Sequence, residues 1–328
     1  MAHIVVLATG GTISSRSGAA GSVATDGAVA LLGAALDSSQ ASTVEAVDVL
    51  RKNSFNITLA DVRTLAEAIR TQLDRADVDG VVVTHGTDTV EECAFLVDLV
   101  HDDPRPVVFT GAQLSADRPD SDGPANLRDA IAVASAPAAR SLGVLLTFAG
   151  RIFGSRGVQK ADTLAPDPFS SRDGGPIGRV ICGVVHLTAR PARTSVLPMP
   201  GPTFGDVPVE ILHCHLGSGD HAFRRAVESG ARGIVLAGTG AGNLNTDLVA
   251  AVADAVAAGV VVALGTRVSQ GPVVPLYGGG GAVDALAAGA VSLGTLSCVQ
   301  GRILLALLLE HHTPRRAAEL LSEYCAAV

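Results

Sequence analysis

Tryptophan is absent from the 328 residues, and aromatic residues of all kinds make up only 3%. The core must therefore be filled by Ala, Val, Leu and Ile, which a hydrophobic content of 48% supplies. Cysteine is scarce as well. Cys93, Cys182, Cys214, Cys298 and Cys325 are odd in number, widely spaced and free of any C-x-x-C pair. That excludes a disulfide framework and a zinc spacing, and leaves buried, reduced thiols of a cytoplasmic protein as the expectation. Long apolar runs are missing: the longest clean one, Ile303 to Leu309, has seven residues, against about 20 for a membrane-spanning helix. The first residues lack a basic n-region and run straight into a strand-like segment, so no signal peptide is expected. Charged residues are sparse at 17% and the net charge is −8, which argues against disorder and against nucleic acid or an anionic membrane as a partner. Lysine is nearly missing. Of 24 basic residues only Lys52 and Lys160 are lysine. Lysine can lose its proton and arginine effectively cannot, so each surviving lysine marks a place to look for chemistry.

What is present is an alternation of elements. Strands are expected at 3–8, 44–50, 80–84, 106–110, 142–147, 208–215, 233–237 and 260–264. Helices are expected at 28–36, 60–74, 88–101, 123–135, 221–229, 245–258, 299–311 and 314–325. Near-continuous apolar strands such as Val81-Val82-Val83 point to an α/β protein with a doubly wound, mainly parallel sheet covered on both faces. Length gives a soft prior of about two domains. Pro198, Pro200, Pro202 and Pro208, with Gly201 and Gly205, are the best linker candidate. The expected division is a larger N-terminal α/β domain over 1–195, a linker over 196–206 and a smaller α/β domain over 207–328.

Ligands of open α/β sheets sit outside the carboxyl ends of the strands. Three segments there carry polar chemistry. In Thr9-Gly10-Gly11-Thr12 the glycines let backbone approach a ligand and offer N–H groups as an anion cradle, with a plain structural turn as the alternative. No G-x-x-x-x-G-K-[ST] phosphate loop and no G-x-G-x-x-G is present. In Thr84-His85-Gly86-Thr87-Asp88-Thr89 the plain reading is a helix N-cap, with Glu91 and Glu92 suited to the positive end of the helix dipole. Thr110-Gly111-Ala112-Gln113 is the third. Val158-Gln159-Lys160-Ala161-Asp162 holds one of the two lysines, which by spacing alone is a surface residue. His213 and His215, spaced i, i+2 on a strand, lack a third ligand nearby and read as structural rather than as zinc ligands.

Taken together these segments resemble the bacterial-type L-asparaginase and glutaminase–asparaginase family, whose two threonine signatures centre on T-G-G-T-I and H-G-T-D-T. Both stand here as Thr9-Gly10-Gly11-Thr12-Ile13 and His85-Gly86-Thr87-Asp88-Thr89. Thr110 to Gln113, Asp122 to Leu127, Gly240 to Leu244 and Gly294 to Leu296 extend the similarity along the chain. The resemblance implies an amidohydrolase without metal or organic cofactor: a threonine hydroxyl attacks the side-chain amide of L-asparagine, ammonia leaves, and water cleaves the acyl-enzyme to aspartate. It implies Thr12 as nucleophile and Thr87, Asp88 and Lys160 as a second polar group, with Asp88 also holding the substrate α-ammonium. It further implies Ser54 at the α-carboxylate, the Ala112 carbonyl at the amide, and backbone N–H groups around Gly11, Gly86 and Thr87 as oxyanion donors. Lys160 could serve as base or as relay. The family also implies a homotetramer built as a dimer of dimers, with sites between two subunits.

Three positions depart from that pattern. The family's Tyr on the loop after the first signature has no counterpart, since residues 15–30 contain no aromatic. The Glu supplied by a neighbouring subunit is Tyr277, Gly278 or Ala282, depending on the direction of counting, and the Gln after the binding Ser is Phe55. Ser14 to Gly27 nonetheless has the Gly-, Ser- and Ala-rich composition of a lid. Either Tyr277 supplies the missing hydroxyl near Thr12 from across a subunit interface, or it packs in the core. Three alternatives stay open: a hydrolase of mixed asparagine and glutamine specificity; a tRNA-linked amidotransferase subunit, disfavoured because its extra N-terminal domain has no room before residue 9; and a non-hydrolysing amino-acid-binding relative.

Overall fold

Seven consecutive buried residues, Ile4–Gly10, form β1, as an apolar run does when a strand is covered on both faces. The computed structural model describes residues 2–19, 21–36, 43–172 and 174–326. It divides into two compact units, Met1–Met199 and Pro200–Val328.

In the first unit β1 is followed by a hairpin of β2 (Ser15–Gly18) and β3 (Gly21–Ala24), then α1 (Ala28–Ala35) and β4 (Val44–Lys52). The hairpin occupies the segment expected to form a lid; Ala20 within it lies outside the described residues. Next come α2 (Leu59–Leu73), β5 (Gly80–Thr84), α3 (Val90–Val100), β6 (Val107–Thr110), α4 (Gly123–Ser135) and β7 (Val144–Phe148). Helix α2 shows why these segments coil. Val62, Leu65, Ala66, Ile69 and Leu73 bury one stripe at helical spacing, and a reciprocal capping box between Thr58 and Asp61 starts the helix.

Strands β4, β1, β5, β6 and β7 are neighbours in that order and all parallel. Helices α1 and α4 join Ile4, Val6, Ala8, Val82 and Val108 in one apolar cluster on one face. Alternation of side chains along the strands leaves α2 and α3 for the other face, where they pack on β4, β5 and β7. The chain passes from β1 outward to β4 and returns to β5 on the opposite side of β1. This reversal makes the carboxyl ends of β1 and β5 the switch point, where open α/β sheets bind ligands.

Beyond β7 the sheet continues antiparallel through β8 (Arg151–Gly154), β11 (Gly178–Ile181) and β12 (Val184–Leu187). A separate two-stranded ladder pairs β9 (Val158–Lys160) with β10 (Phe169–Ser171). The second unit is a parallel sheet of β13 (Val209–His213), β14 (Gly233–Gly238), β15 (Val261–Thr266) and β16 (Val291–Ser292) in sequence order. Helices α5 (His221–Glu228), α6 (Thr246–Ala257), α7 (Ala282–Ala287), α8 (Cys298–His311) and α9 (Pro314–Ala326) complete it. Phe223, Leu248 and Ala285 share one core cluster with strand residues, while α8 packs on β13, β14 and β15. The α/β architecture read from the sequence is the one observed.

Some local readings change. β13 ends at His213, so His215 lies beyond the strand and the two histidines do not share its face. Cys182 is exposed, unlike the other four thiols, because it occupies the tip of the β11–β12 hairpin. Among the described residues no helix is long and apolar enough to cross a membrane.

Candidate active site

The loop after β1 turns on two glycines with left-handed backbone, Gly10 at φ +108° and Gly11 at φ +81°. Only glycine takes such values at no steric cost. At Gly11 space is limiting as well: a Cβ there would lie 2.3 Å from the Gly86 nitrogen. At Gly86 a Cβ would lie 2.5 Å from Ser54 Oγ and 3.1 Å from Gly11 Cα. The two signatures, distant in sequence, thus meet backbone to backbone at the switch point. The Gly11 N–H donates to the Lys52 carbonyl at 3.0 Å, which anchors the loop to the end of β4.

Both loops fix the peptide preceding their threonine. The Gly11 carbonyl accepts from Ser14 N–H at 3.1 Å, Ser14 Oγ at 3.0 Å and Ser15 Oγ at 2.8 Å, and both serine side chains are buried. In the second loop His85 Nδ1 lies 2.7 Å from the Gly86 carbonyl, so that nitrogen carries the proton and donates. His85 is fully buried, and burial pulls its pKa down to about 4, so the ring is neutral near pH 7. Pinning a carbonyl aims the N–H on the opposite edge of the same peptide. The Thr12 and Thr87 N–H groups are thereby fixed in direction before any ligand arrives.

Thr87 and Asp88 do not cap the following helix. The N-cap position of α3 is Thr89, without a side-chain capping bond; its hydroxyl donates instead to the Ser54 carbonyl at 2.9 Å. The plain reading of this segment as an N-cap is therefore replaced by a cluster. Lys160 Nζ donates to Thr87 Oγ1 at 2.8 Å and to Asp88 Oδ1 at 2.7 Å. Thr87 passes its own proton toward Gln113 Oε1 at 3.3 Å. Ser54, 3% exposed, accepts the Asp88 N–H on its hydroxyl at 3.3 Å. Ala112 is buried in the loop after β6, where its neighbour Gly111 lies against the His85 carbonyl. Asn126 Nδ2 donates to the Gly111 carbonyl at 3.0 Å, and Asp122 accepts from the Gln113 and Leu114 N–H groups. Lys52, by contrast, ion-pairs with Asp61 at 2.7 Å and acts on the site only through its backbone carbonyl.

The geometry thus brings together Gly11, Ser54, Gly86, Thr87, Asp88 and Lys160, with Thr12 half-buried next to Gly11. Tyr277 belongs to the second unit and is 60% exposed, so it is not a core residue. Sequence reasoning missed Gln113 as the Thr87 partner and Glu91 as more than a dipole match. Glu91 Oε2 accepts the Lys160 N–H at 2.5 Å. Its side chain is driven up to about pKa 7, chiefly by burial, which outweighs the hydrogen bond from Lys160. The repeated acid Glu91-Glu92 on a helix otherwise apolar up to Asp98 was the available signal.

A two-unit α/β protein with two threonine loops meeting at the switch point of its first sheet is the class that fold and site define. Residues 3–193 match the family model "Asparaginase, N-terminal", and residues 208–320 match "Glutaminase/Asparaginase C-terminal domain". The chain belongs to the asparaginase family. It is 37% identical over 321 residues to a probable L-asparaginase of Deinococcus radiodurans, covering 94% of this chain and 92% of that one. It is 32% identical over 330 residues to L-asparaginase 2 of Escherichia coli, covering 98% and 93%. Among solved structures, a probable cytoplasmic L-asparaginase from Campylobacter jejuni superposes with a TM-score of 0.86 at 28% identity, covering 98% of this chain and 99% of that one.

Proposed function

We propose that the protein is an L-asparaginase: it hydrolyses the side-chain amide of L-asparagine to aspartate and ammonia through a threonine acyl-enzyme. The observation that carries the chemistry is the Lys160 ammonium held between Thr87 Oγ1 and Asp88 beside the Gly11–Gly86 contact. Thr12 is the nucleophile. Its hydroxyl is a poor one until a base takes the proton. Asp88, which accepts from Lys160 Nζ at 2.7 Å, also takes the α-ammonium of the substrate. Lys160 takes the proton of a threonine hydroxyl as the free amine, or relays it as the ammonium by giving up one proton as it takes another. The Thr12 and Thr87 N–H groups stabilise the tetrahedral oxyanion, Ser54 meets the α-carboxylate, and the Ala112 carbonyl meets the amide nitrogen.

The catalytic work lies in the segment 1–195, with 196–206 as linker to 207–328. Tyr277 brings a hydroxyl to Thr12 from a second copy of the chain, which makes the working form a homo-oligomer, a tetramer built as a dimer of dimers, located in the cytoplasm. Exposure of Tyr277 and four buried free thiols are consistent with these last assignments.

Ammonia release from asparagine, glutamine and a β-aspartyl amide tests the function. Asparagine turnover is expected, and no release from any of them would leave only an amino-acid-binding protein. Lys160→Arg keeps the charge but cannot give up the proton. It is expected to fold normally and to lose at least about 10²-fold in kcat; near-normal turnover would refute the role.

A further inference from the structure

We propose that Glu91 is a positioning residue for Lys160, holding the lysine backbone against α3 through its ionised carboxylate and so coupling turnover to the protonation of that carboxylate. This rests on the role given to Lys160 above. Lys160 is the last residue of β9, a strand of three residues that among the described residues pairs only with β10 and belongs to neither large sheet. Its side chain is long, and such chains surrender considerable rotamer entropy when fixed. A lysine at the end of a short isolated ladder can hold Thr87 and Asp88 only if its own Cα is held. The bond that ties its N–H to the body of the unit ends on Glu91 Oε2, at 2.5 Å. Helix α3, which displays Thr87 and Asp88 just ahead of its first turn, carries that anchor inside the first turn. One rigid element thus sets both the partners of the ammonium and the origin of its side chain.

A glutamine would make a similar hydrogen bond without the cost of burying a charge, which points to a use for the charge. Charged groups acting on Glu91 include Glu92 on the same helix, Lys160 within the β9–β10 ladder and Arg172 just after it. Strand β7, packed on α3, carries no ionisable side chain. Helix α2 carries Asp61, paired with Lys52, Arg63, paired with Glu67, and Arg70. Burial outweighs the two cations and places the Glu91 titration at about 7. Below that value the carboxyl is neutral and its grip on the Lys160 N–H weakens; above it the charge-assisted bond is restored.

The test is kcat and KM for asparagine between about pH 5.5 and about pH 9 in wild type, Glu91→Gln, Glu91→Ala and Lys160→Arg. Wild-type kcat is expected to rise through about pH 7. Glu91→Gln is expected to flatten that limb while keeping kcat above neutrality within about threefold. Glu91→Ala is expected to lose about tenfold or more in kcat with KM within about twofold, the split that misplacement of a catalytic group produces. A Glu91→Gln profile that superposes on the wild type overturns the inference, and this arm decides even where Glu91→Ala does not fold. Inactive Lys160→Arg with normal Glu91 variants overturns this inference alone; active Lys160→Arg overturns the reading of Lys160 beneath it.

Discussion

The two threonine loops are built on one plan and finished differently. Each follows a buried parallel strand, each places a glycine before its threonine, and each pins that glycine's carbonyl: two serine hydroxyls at Gly11, one imidazole at Gly86. The loop of Thr87 is complete within its unit. It has a cation at 2.8 Å, a carboxylate on that cation and an amide oxygen that accepts the threonine hydrogen bond. The loop of Thr12 has a directed backbone and a half-buried hydroxyl, followed by a hairpin without an aromatic residue. That hairpin is seated on Ser14, Asp117 and an Arg16–Asp26 ion pair instead. The partners of Thr87 thus come from its own unit, whereas in the proposed reaction Thr12 draws its activating group from a second copy of the chain.

The largest effect should follow from separating the loops. Gly11→Ala would force a left-handed alanine, costing about 1–2 kcal/mol. It would also drive a methyl into the Gly86 nitrogen 2.3 Å away, so the backbones must part. Displacements near 1 Å at a reacting centre cost on the order of 10²-fold, and kcat/KM for asparagine should fall by at least that much. The melting midpoint should drop only about 2–4 °C per kcal/mol. Normal turnover in this variant would show that the contact between loops is dispensable.

Next in size is the missing hydroxyl. Tyr277→Phe removes one oxygen from a side chain that is 60% exposed, so stability should not change. If Tyr277 serves Thr12, kcat should fall by about tenfold or more, as for other positioned proton-handling groups, while the Thr87 loop is untouched. An unchanged kcat removes Tyr277 from the site.

The same contrast explains what could be read in advance. The parallel half of the first sheet was legible because strands such as Val81–Val83 are uniformly apolar, while the order that sets the switch point came only with the structure. The antiparallel half was not. Its hairpins turn on Ala149-Gly150 and Cys182-Gly183, with φ values of +48°, +71°, +50° and +75°. Two-residue turns of this type usually announce themselves as Asn-Gly or Asp-Gly, and alanine and cysteine give no such signal. In the site, Thr87, Asp88 and Lys160 were legible through the resemblance and through lysine scarcity, which singled out Lys160. Gln113 and Glu91 were not, because an amide after a strand and an acid in a first helical turn are each what surface chemistry would place there anyway.

The smallest effect is also the sharpest test of the shared plan. Ser14→Ala or Ser15→Ala alone leaves the Gly11 carbonyl with two donors, so each should cost less than about 1 kcal/mol in stability and less than about twofold in kcat. The double variant leaves only the Ser14 N–H at 3.1 Å. Donors converging on one carbonyl polarise the same peptide, so the Thr12 N–H is a stronger donor with both hydroxyls present. The double variant should therefore lose more than the sum of the singles, with a coupling of about 0.5 kcal/mol or more in kcat/KM. Strict additivity would mean that the hydroxyls merely fill space. His85→Asn would then be the only variant expected to misdirect a threonine N–H, and the two loops would share a shape without sharing a function for it.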